Sequence, residues 1–263
     1  LRHPVIYKQQ WNNSHCGKLI HGEILAGILF IVSAPSGSGK STLVSHLRQQ
    51  VGALEFSISW TTRAPRGGEQ QDREYHFATR AEFEQHIAEG GFLEWASVYD
   101  NYYGTSLQAL RDAESRGNDL LLDIDVQGAL QVIEKFKESV SIFIIPPSPG
   151  VLESRLRQRS AAENMAVEEI IQRRLRQAKS EMGEIWKYKY AVLNDVLDEA
   201  VEKLRSVVLA ERRRRGQPEK LLQAIAEPAA GLEPLAESCL TASLRSSQSS
   251  AGLREILQTF GVS

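Results

Sequence analysis

Nine consecutive residues, Ala34-Pro35-Ser36-Gly37-Ser38-Gly39-Lys40-Ser41-Thr42, have the types and spacing needed to hold a polyphosphate. The phosphate-loop pattern is G-x-x-x-x-G-K-[ST], and every specified position matches except the first, where Ala34 stands for glycine. Gly37 and Gly39 let the backbone curl so that several N–H groups face inward, an anion nest at a helix N-terminus. Lys40 would add a full positive charge against β- and γ-phosphates, and Ser41 a hydroxyl for Mg²⁺. A second run, Leu120-Leu121-Leu122-Asp123, is apolar and ends in a carboxylate suited to stand beside the phosphates and their metal, directly or through water. Asp125 follows two residues on and shares a face with Asp123 if the strand continues that far.

Between these motifs lies a polar, aromatic and glycine-rich segment unlike a core. It holds Ser59-Trp60-Thr61-Thr62-Arg63-Ala64-Pro65-Arg66, Glu69, Arg73-Glu74-Tyr75, Phe92-Leu93-Glu94-Trp95-Ala96 and Asn101-Tyr102-Tyr103-Gly104-Thr105-Ser106. Arg63 and Arg66, three apart around a proline, suit a bidentate grip on a dianionic phosphate, and tyrosine hydroxyls can add donors. Each piece alone reads as a surface loop with ordinary charges; their combination and order carry the signal. The six histidines show no spacing that suggests a metal ligand or a general base.

The elements that must position these residues follow from apolar periodicity. Buried strands are expected at residues 28–33, 120–125, 140–145 and 190–193, and helices at 40–50, 80–89, 150–159, 167–182 and 197–215. Strands alternating with helices imply parallel βαβ units, an α/β sheet with helices on both faces. The run at residues 24–34, with Arg2, His3 and Lys8 upstream, has the outline of a signal-peptide core. A buried parallel strand is the better reading, because the run leads directly into the glycine loop and Glu23 interrupts its approach. The four arginines at 212–215 close a helix, where they favour its C-terminal dipole and read as a solvated end.

Taken together, S-x-T-T-R-x-P-R, the Glu74-Tyr75 pair, Phe92-Leu93-Glu94, Asn101 to Thr105 and Leu122-Asp123-Ile124-Asp125-x-Gln127-Gly128 resemble the guanylate kinase family in order and spacing, over roughly residues 27–215. The resemblance implies a P-loop NTPase-like core, an inserted GMP-binding region at residues 59–105, and a helical lid at about 150–182. It assigns the GMP phosphate to Arg63, Arg66, Tyr75 and Tyr103, and guanine to Ser59, Glu94, Thr105 and Asp125. Arg155, Arg159 and Arg174 become the lid arginines closing on the transferring phosphoryl group, and Asn194 and Asp195 the nucleotide-side pair. Lys40, Arg66 and the three lid arginines are then the catalytic set, ATP and GMP the substrates and Mg²⁺ the cofactor. Ser160 stands where many members have glycine, and the segment Ser160 to Ala166 is a few residues longer than in some, which loosens the register between Arg159 and Arg174. The alternatives are a kinase of another phosphate-bearing acceptor, or a binding module that keeps the GMP-like pocket without catalysis. The complete set Ser59, Glu94, Thr105 and Asp125 argues against the first, and the intact Lys40, Ser41 and lid arginines against the second.

The whole chain sets the remaining bounds. Of its 263 residues 42% are hydrophobic and 24% charged, enough for a proper core in an ordinary globular protein. A formal net charge of −2 gives no basic footprint for nucleic acid, and no run approaches a membrane span. Monomer and homo-oligomer both remain open. Cys16 and Cys239 have no metal-ligand spacing and read as free thiols of a cytoplasmic protein. Residues 1–26, starting at Leu1, look like a fragment start, a non-standard start codon or an appended, poorly ordered leader. Residues 27–226 carry all the pattern. Residues 227–263 read as a mobile tail with a short helix at 253–260, expected to add nothing to folding or activity.

Overall fold

In the computed structural model, which describes residues 27–98, 100–162, 168–217 and 249–262, the run before the glycine loop is strand β1 (Leu29–Ser33). Its side chains divide between two cores: Leu29 and Ile31 join one apolar cluster, Phe30 and Val32 the other. A strand covered on both faces reads as a continuous apolar run, not an alternating one. With β2 (Leu54–Phe56), β7 (Asp119–Asp123), β8 (Val140–Ile145) and β9 (Tyr190–Leu193) it makes a five-stranded sheet of order β2-β7-β1-β8-β9. Every pairing in this sheet is parallel. The central strand therefore delivers its C-terminal end, and the loop after it, to the middle of one sheet edge, where α/β ligands bind.

Helices α1 (Lys40–Gln50) and α7 (Leu197–Arg214) supply the core on one side, with Leu43, Leu47, Val201, Leu204 and Val208 buried there. The other core draws on α3 (Leu107–Ser115), α4 (Val126–Lys135), α5 (Pro149–Ala162) and α6 (Glu168–Met182). A single turn of 3₁₀ helix, Gly183–Lys187, leads from α6 towards β9. The expected α/β architecture is the observed one, but α3 and α4 were not among the expected helices.

A second sheet is inserted between β2 and α3. Its strands β3 (Trp60–Thr61), β4 (His76–Phe77), β5 (Phe92–Val98) and β6 (Asn101–Ser106) lie in the order β4-β3-β6-β5. β6 runs antiparallel to both neighbours. Helix α2 (Arg80–Ala88), started by a capping box between Thr79 and Glu82, seats Phe83 against Phe92 and Tyr102 at ring separations of 4.3 and 5.3 Å. The insert is fastened to the main body through α4, where Lys135 Nζ donates to the Leu93 carbonyl (3.0 Å) and Gln131 Nε2 to that of Trp95 (2.9 Å).

Three expectations need correction. The second strand stops at Asp123, not Asp125; Asp125 is the N-cap of α4, its side chain accepting the Gly128 N–H at 3.0 Å. The Asp125 backbone is still extended, as is usual for an N-cap, but it has no strand partner among the described residues. The start of α4, and not a continued strand, therefore places it on the cavity that Asp123 also lines. The arginine run is only partly a solvated end. Arg214 pairs with Glu211 and Arg215 with the Glu138 carbonyl, but Arg212 is fully buried. The helical period sets Arg212 in line with Leu204 and Val208 on the buried face of α7. There its Nε donates to Asp119 Oδ2 (2.7 Å) and a terminal nitrogen to the Gly52 carbonyl (2.9 Å). Residues 1–26 and 218–248 lie outside the described residues, but α8 (Ser249–Thr259) is present and packed. Leu253 and Leu257 of this helix, expected at 253–260, and Phe260 just after it join the core shared by α3 to α6, at odds with a mobile segment that adds nothing to folding.

Candidate active site

The loop after β1 opens onto a cavity of about 720 Å³ at the C-terminal edge of the main sheet. Gly39, the N-cap of α1, has φ +84°, and a Cβ there would fall 2.4 Å from Asn194 Nδ2, so glycine is required twice over. The same Asn194 nitrogen donates to the Ser38 carbonyl at 2.7 Å, and an Arg155 guanidinium nitrogen donates to that oxygen at 3.3 Å. The loop is thus held from the β9 end and from α5. α5 also rests directly on it: a Cβ at Gly37 would stand 3.1 Å from both Leu152 and Leu156. Lys40 pairs with Asp123 at the end of β7 and donates to the Ile124 carbonyl at 2.9 Å. The whole loop, Ala34 to Thr42, lines the cavity.

Ser41 and Asp123 face the same cavity with oxygen donors only, the chemistry a hard Mg²⁺ ion takes. Among the described residues no group of three or more His, Cys, Asp or Glu is placed to hold a metal. Such a sparse protein set fits an ion that draws its other ligands from phosphate and water.

The insert supplies the facing wall. Ser59, Arg66, Tyr75, Glu94 and Tyr103 all line the cavity, as does Asp125 from the start of α4. Arg63 and Thr105 do not; each stands behind a residue that does. Arg63 is buried against the Tyr75 ring, 5.2 Å from its centroid, and one nitrogen donates to Glu69 Oε1 at 3.0 Å. Glu69 Oε2 accepts the Arg66 backbone N–H at 2.7 Å, so one carboxylate braces both arginines. Burial opposes that charge, but Arg63 and the Arg66 N–H hold the Glu69 carboxyl below its ordinary range. Thr105 Oγ1 donates to Glu94 Oε1 at 2.7 Å inside the strand pair. Glu94 is 3% exposed, and burial pushes its carboxyl up to about 7. Thr105 works against that rise and the Asp125 charge adds to it.

Helices α5 and α6 roof the cavity. Arg155, Arg159 and Arg174 line it, together with Asn194, Asp195 and Leu197. The Ser160 departure finds a use, because its buried Oγ accepts from Arg174 at 3.0 Å and couples the two helices. Gln158, Gln177 and Glu181 also line the cavity and are absent from the sequence reading. Their signal was available: Arg174, Gln177 and Glu181 fall at i, i+3 and i+7, one helical face. Glu181 accepts from Gln177 Nε2 at 2.8 Å, and burial pushes its carboxyl up to about 7. Gln177 and the Ser36 N–H oppose that rise, while Asp125 adds to it. No described helix is long and apolar enough to cross a membrane.

Comparisons with known proteins agree with this geometry. The guanylate kinase family model matches residues 27–211. The guanylate kinase of Koribacter versatilis is 49% identical over 216 residues, 82% of this chain and 90% of that protein. That of Cupriavidus pinatubonensis is 50% identical over 191 residues, 73% of this chain and 87% of that protein. Among solved structures, guanylate kinase from Anaplasma phagocytophilum superposes with a TM-score of 0.60 at 29% identity, over 77% of this chain and 97% of that one. With the loop, the inserted sheet and the roofing helices gathered on one cavity, and a family match across most of its length, this chain belongs to the guanylate kinase family.

Proposed function

We propose that the chain transfers the γ-phosphoryl group of ATP to GMP, giving ADP and GDP. The observation that carries this reading is the convergence of a complete phosphate loop and a separate, arginine- and carboxylate-bearing wall on a single cavity. The loop amides and Lys40 would hold the β- and γ-phosphates of ATP, with Asn194 and Asp195 beside them. Arg66, Tyr75 and Tyr103, backed by Arg63, would hold the acceptor phosphate. Ser59, Glu94 and Asp125, with Thr105 fixing Glu94, would face the base. A phosphate monoester loses its second proton near pH ~6, so the attacking oxygen is already ionised at neutral pH and needs no general base. That oxygen forms the new bond to the γ-phosphorus as the bond to the β-bridging oxygen breaks, and ADP leaves. The protein's contribution is alignment and cancellation of charge on the moving group, which suits the roof of Arg155, Arg159 and Arg174. Mg²⁺ held by Ser41 and Asp123 would neutralise charge on the β- and γ-oxygens. The roof would also keep water from intercepting the phosphoryl group.

ADP release coupled to a detector enzyme, with ATP against GMP, AMP, CMP and UMP, tests the assignment. GMP should be the preferred acceptor by orders of magnitude. Equal turnover of two bases would remove the role given to Glu94, and binding of GMP without any ADP release would identify a binding module.

A further inference from the structure

We propose that Gly128 is a positioning residue for base recognition: the side chain it lacks is the space in which the Glu94 carboxylate sits. This rests on the reading that Glu94 accepts hydrogen bonds from the base. Gly128 lies in the first turn of α4 and is buried. Glycine in a helix is destabilising relative to alanine, and it is tolerated where backbone conformation or space demands it. Conformation makes no demand, since Gly128 is not among the residues with positive φ. Space does. A Cβ built at Gly128 would lie 2.4 Å from Glu94 Oε2 and 3.0 Å from Glu94 Cδ, inside van der Waals contact. The other glycines on described helices, Gly150, Gly183 and Gly252, would meet nothing within 4 Å.

Glu94 cannot easily step aside. Its Oε1 is bonded to Thr105 Oγ1 at 2.7 Å. The strand residues on either side of it are tied to the same helix, Leu93 through Lys135 and Trp95 through Gln131. A methyl group at position 128 would therefore push the carboxylate off its line and not the strand off the helix. Gly128 also donates its N–H to Asp125 Oδ1 at 3.0 Å, so one residue seats both carboxylates that face the base.

The test compares wild type, Gly128→Ala, Glu94→Asp and the double variant, measuring kcat/KM for GMP and KM for ATP. Gly128→Ala should lower kcat/KM for GMP about ten- to hundredfold, mostly through KM, with KM for ATP within about twofold of wild type. Glu94→Asp alone should also weaken GMP. Added to Gly128→Ala it should instead recover activity, because the shorter side chain frees the space the methyl group takes. GMP kinetics of Gly128→Ala within twofold of wild type would overturn the proposal, as would a Glu94→Asp loss of the same size in both backgrounds. If Gly128→Ala folds poorly, thermal melts with Glu94 and with Glu94→Ala give the same answer. The Tm loss should appear only where Glu94 is present, and an equal loss in both overturns the proposal. Glu94→Gln separates the underlying reading from the inference. If that variant keeps full GMP selectivity, the base-reading role of Glu94 fails; if it loses selectivity while Gly128→Ala does not, only the role of Gly128 fails.

Discussion

Lys40 stands on the loop side of the cavity, bonded to Asp123 and the Ile124 carbonyl, and Arg66 on the side of the inserted sheet, the places proposed for the phosphoryl donor and its acceptor. Lys40→Ala should therefore remove phosphoryl transfer by about a thousandfold or more while GMP titration stays near wild type. A parallel loss of GMP affinity would mean that the two sides are not separable. Glu94 adds a pH signature. Guanine presents N1–H and N2–H side by side, two donors that match a carboxylate, which is acceptor-only. With the Glu94 carboxyl at about 7, the ionised form that accepts them is depleted at lower pH. GMP affinity should thus rise with pH through about 7 and level off above it. Glu94→Gln should abolish that dependence, leaving only the one from the GMP phosphate near pH ~6, and lower GMP kcat/KM by roughly 1–3 kcal/mol of transition-state binding. Isotherms of identical pH profile in mutant and wild type would refute the link. Glu181 predicts the opposite slope for the other substrate. ATP brings negative charge beside a carboxyl also held at about 7, so ATP affinity should fall as pH rises through that value, and Glu181→Gln should flatten the fall. A profile unchanged by the substitution would show that Glu181 does not sense the nucleotide. Residue types and order were enough to name the wall of the cavity. That Arg63 and Thr105 brace their neighbours from behind was not legible, because burial and partner choice depend on the packing of the inserted sheet.

At the scale of elements, the strands of the main sheet and the helices α1, α2, α5, α6 and α7 could be read from period and composition, with ends shifted by a few residues. The short edge strand β2, three residues long, is the exception in that sheet. The two missed helices have particular causes. α4 carries Gly128 and three β-branched residues, Val126, Val132 and Ile133, in ten positions, and it follows an acidic strand end that reads as more strand. α3 begins directly after β6, with Ser106 both ending the strand and capping the helix, so no loop marks the change. The short strands of the insert, two residues each in β3 and β4, are below the length at which alternation is visible. α8 is the element whose importance composition understates. It lies beyond the family match, which ends at residue 211, yet it buries Leu253, Leu257 and Phe260 in the core that α6 shares. A chain ending at residue 248 should therefore melt lower by several degrees, since burial of each aliphatic or aromatic side chain contributes about 1.5–3 kcal/mol and the entropy lost in ordering the helix offsets much of the sum. A melting curve superposed on that of the full chain would return residues 249–262 to the status of a passive tail.

Across the whole molecule, one fully buried ion pair ties distant parts together. Asp119 accepts the Ile28 N–H at 2.8 Å and the Arg212 Nε at 2.7 Å, while Arg212 also reaches the Gly52 carbonyl. Arg212→Met leaves Asp119 charged in a dry core, and loss of one partner of such a pair costs about 3–5 kcal/mol. For a chain of this size that corresponds to a Tm lower by roughly 6–20 °C. A shift of less than two degrees would show the pair to be dispensable. The strand order has a further consequence, which lies in synthesis. β1 is the centre of the sheet, yet both of its partners come much later: Ile28 must wait for Asp119, 91 residues further along. At about 5–20 residues per second, the ribosome exposes Leu29, Phe30, Ile31 and Val32 for roughly 5–20 s before β7 exists to cover them. During that interval the nascent chain displays a sticky strand flanked by unpaired amides, a natural client for a holding chaperone. Slow codons placed between β1 and β7 would lengthen this exposure and lower soluble yield, whereas the same codons after β9 would leave it unchanged.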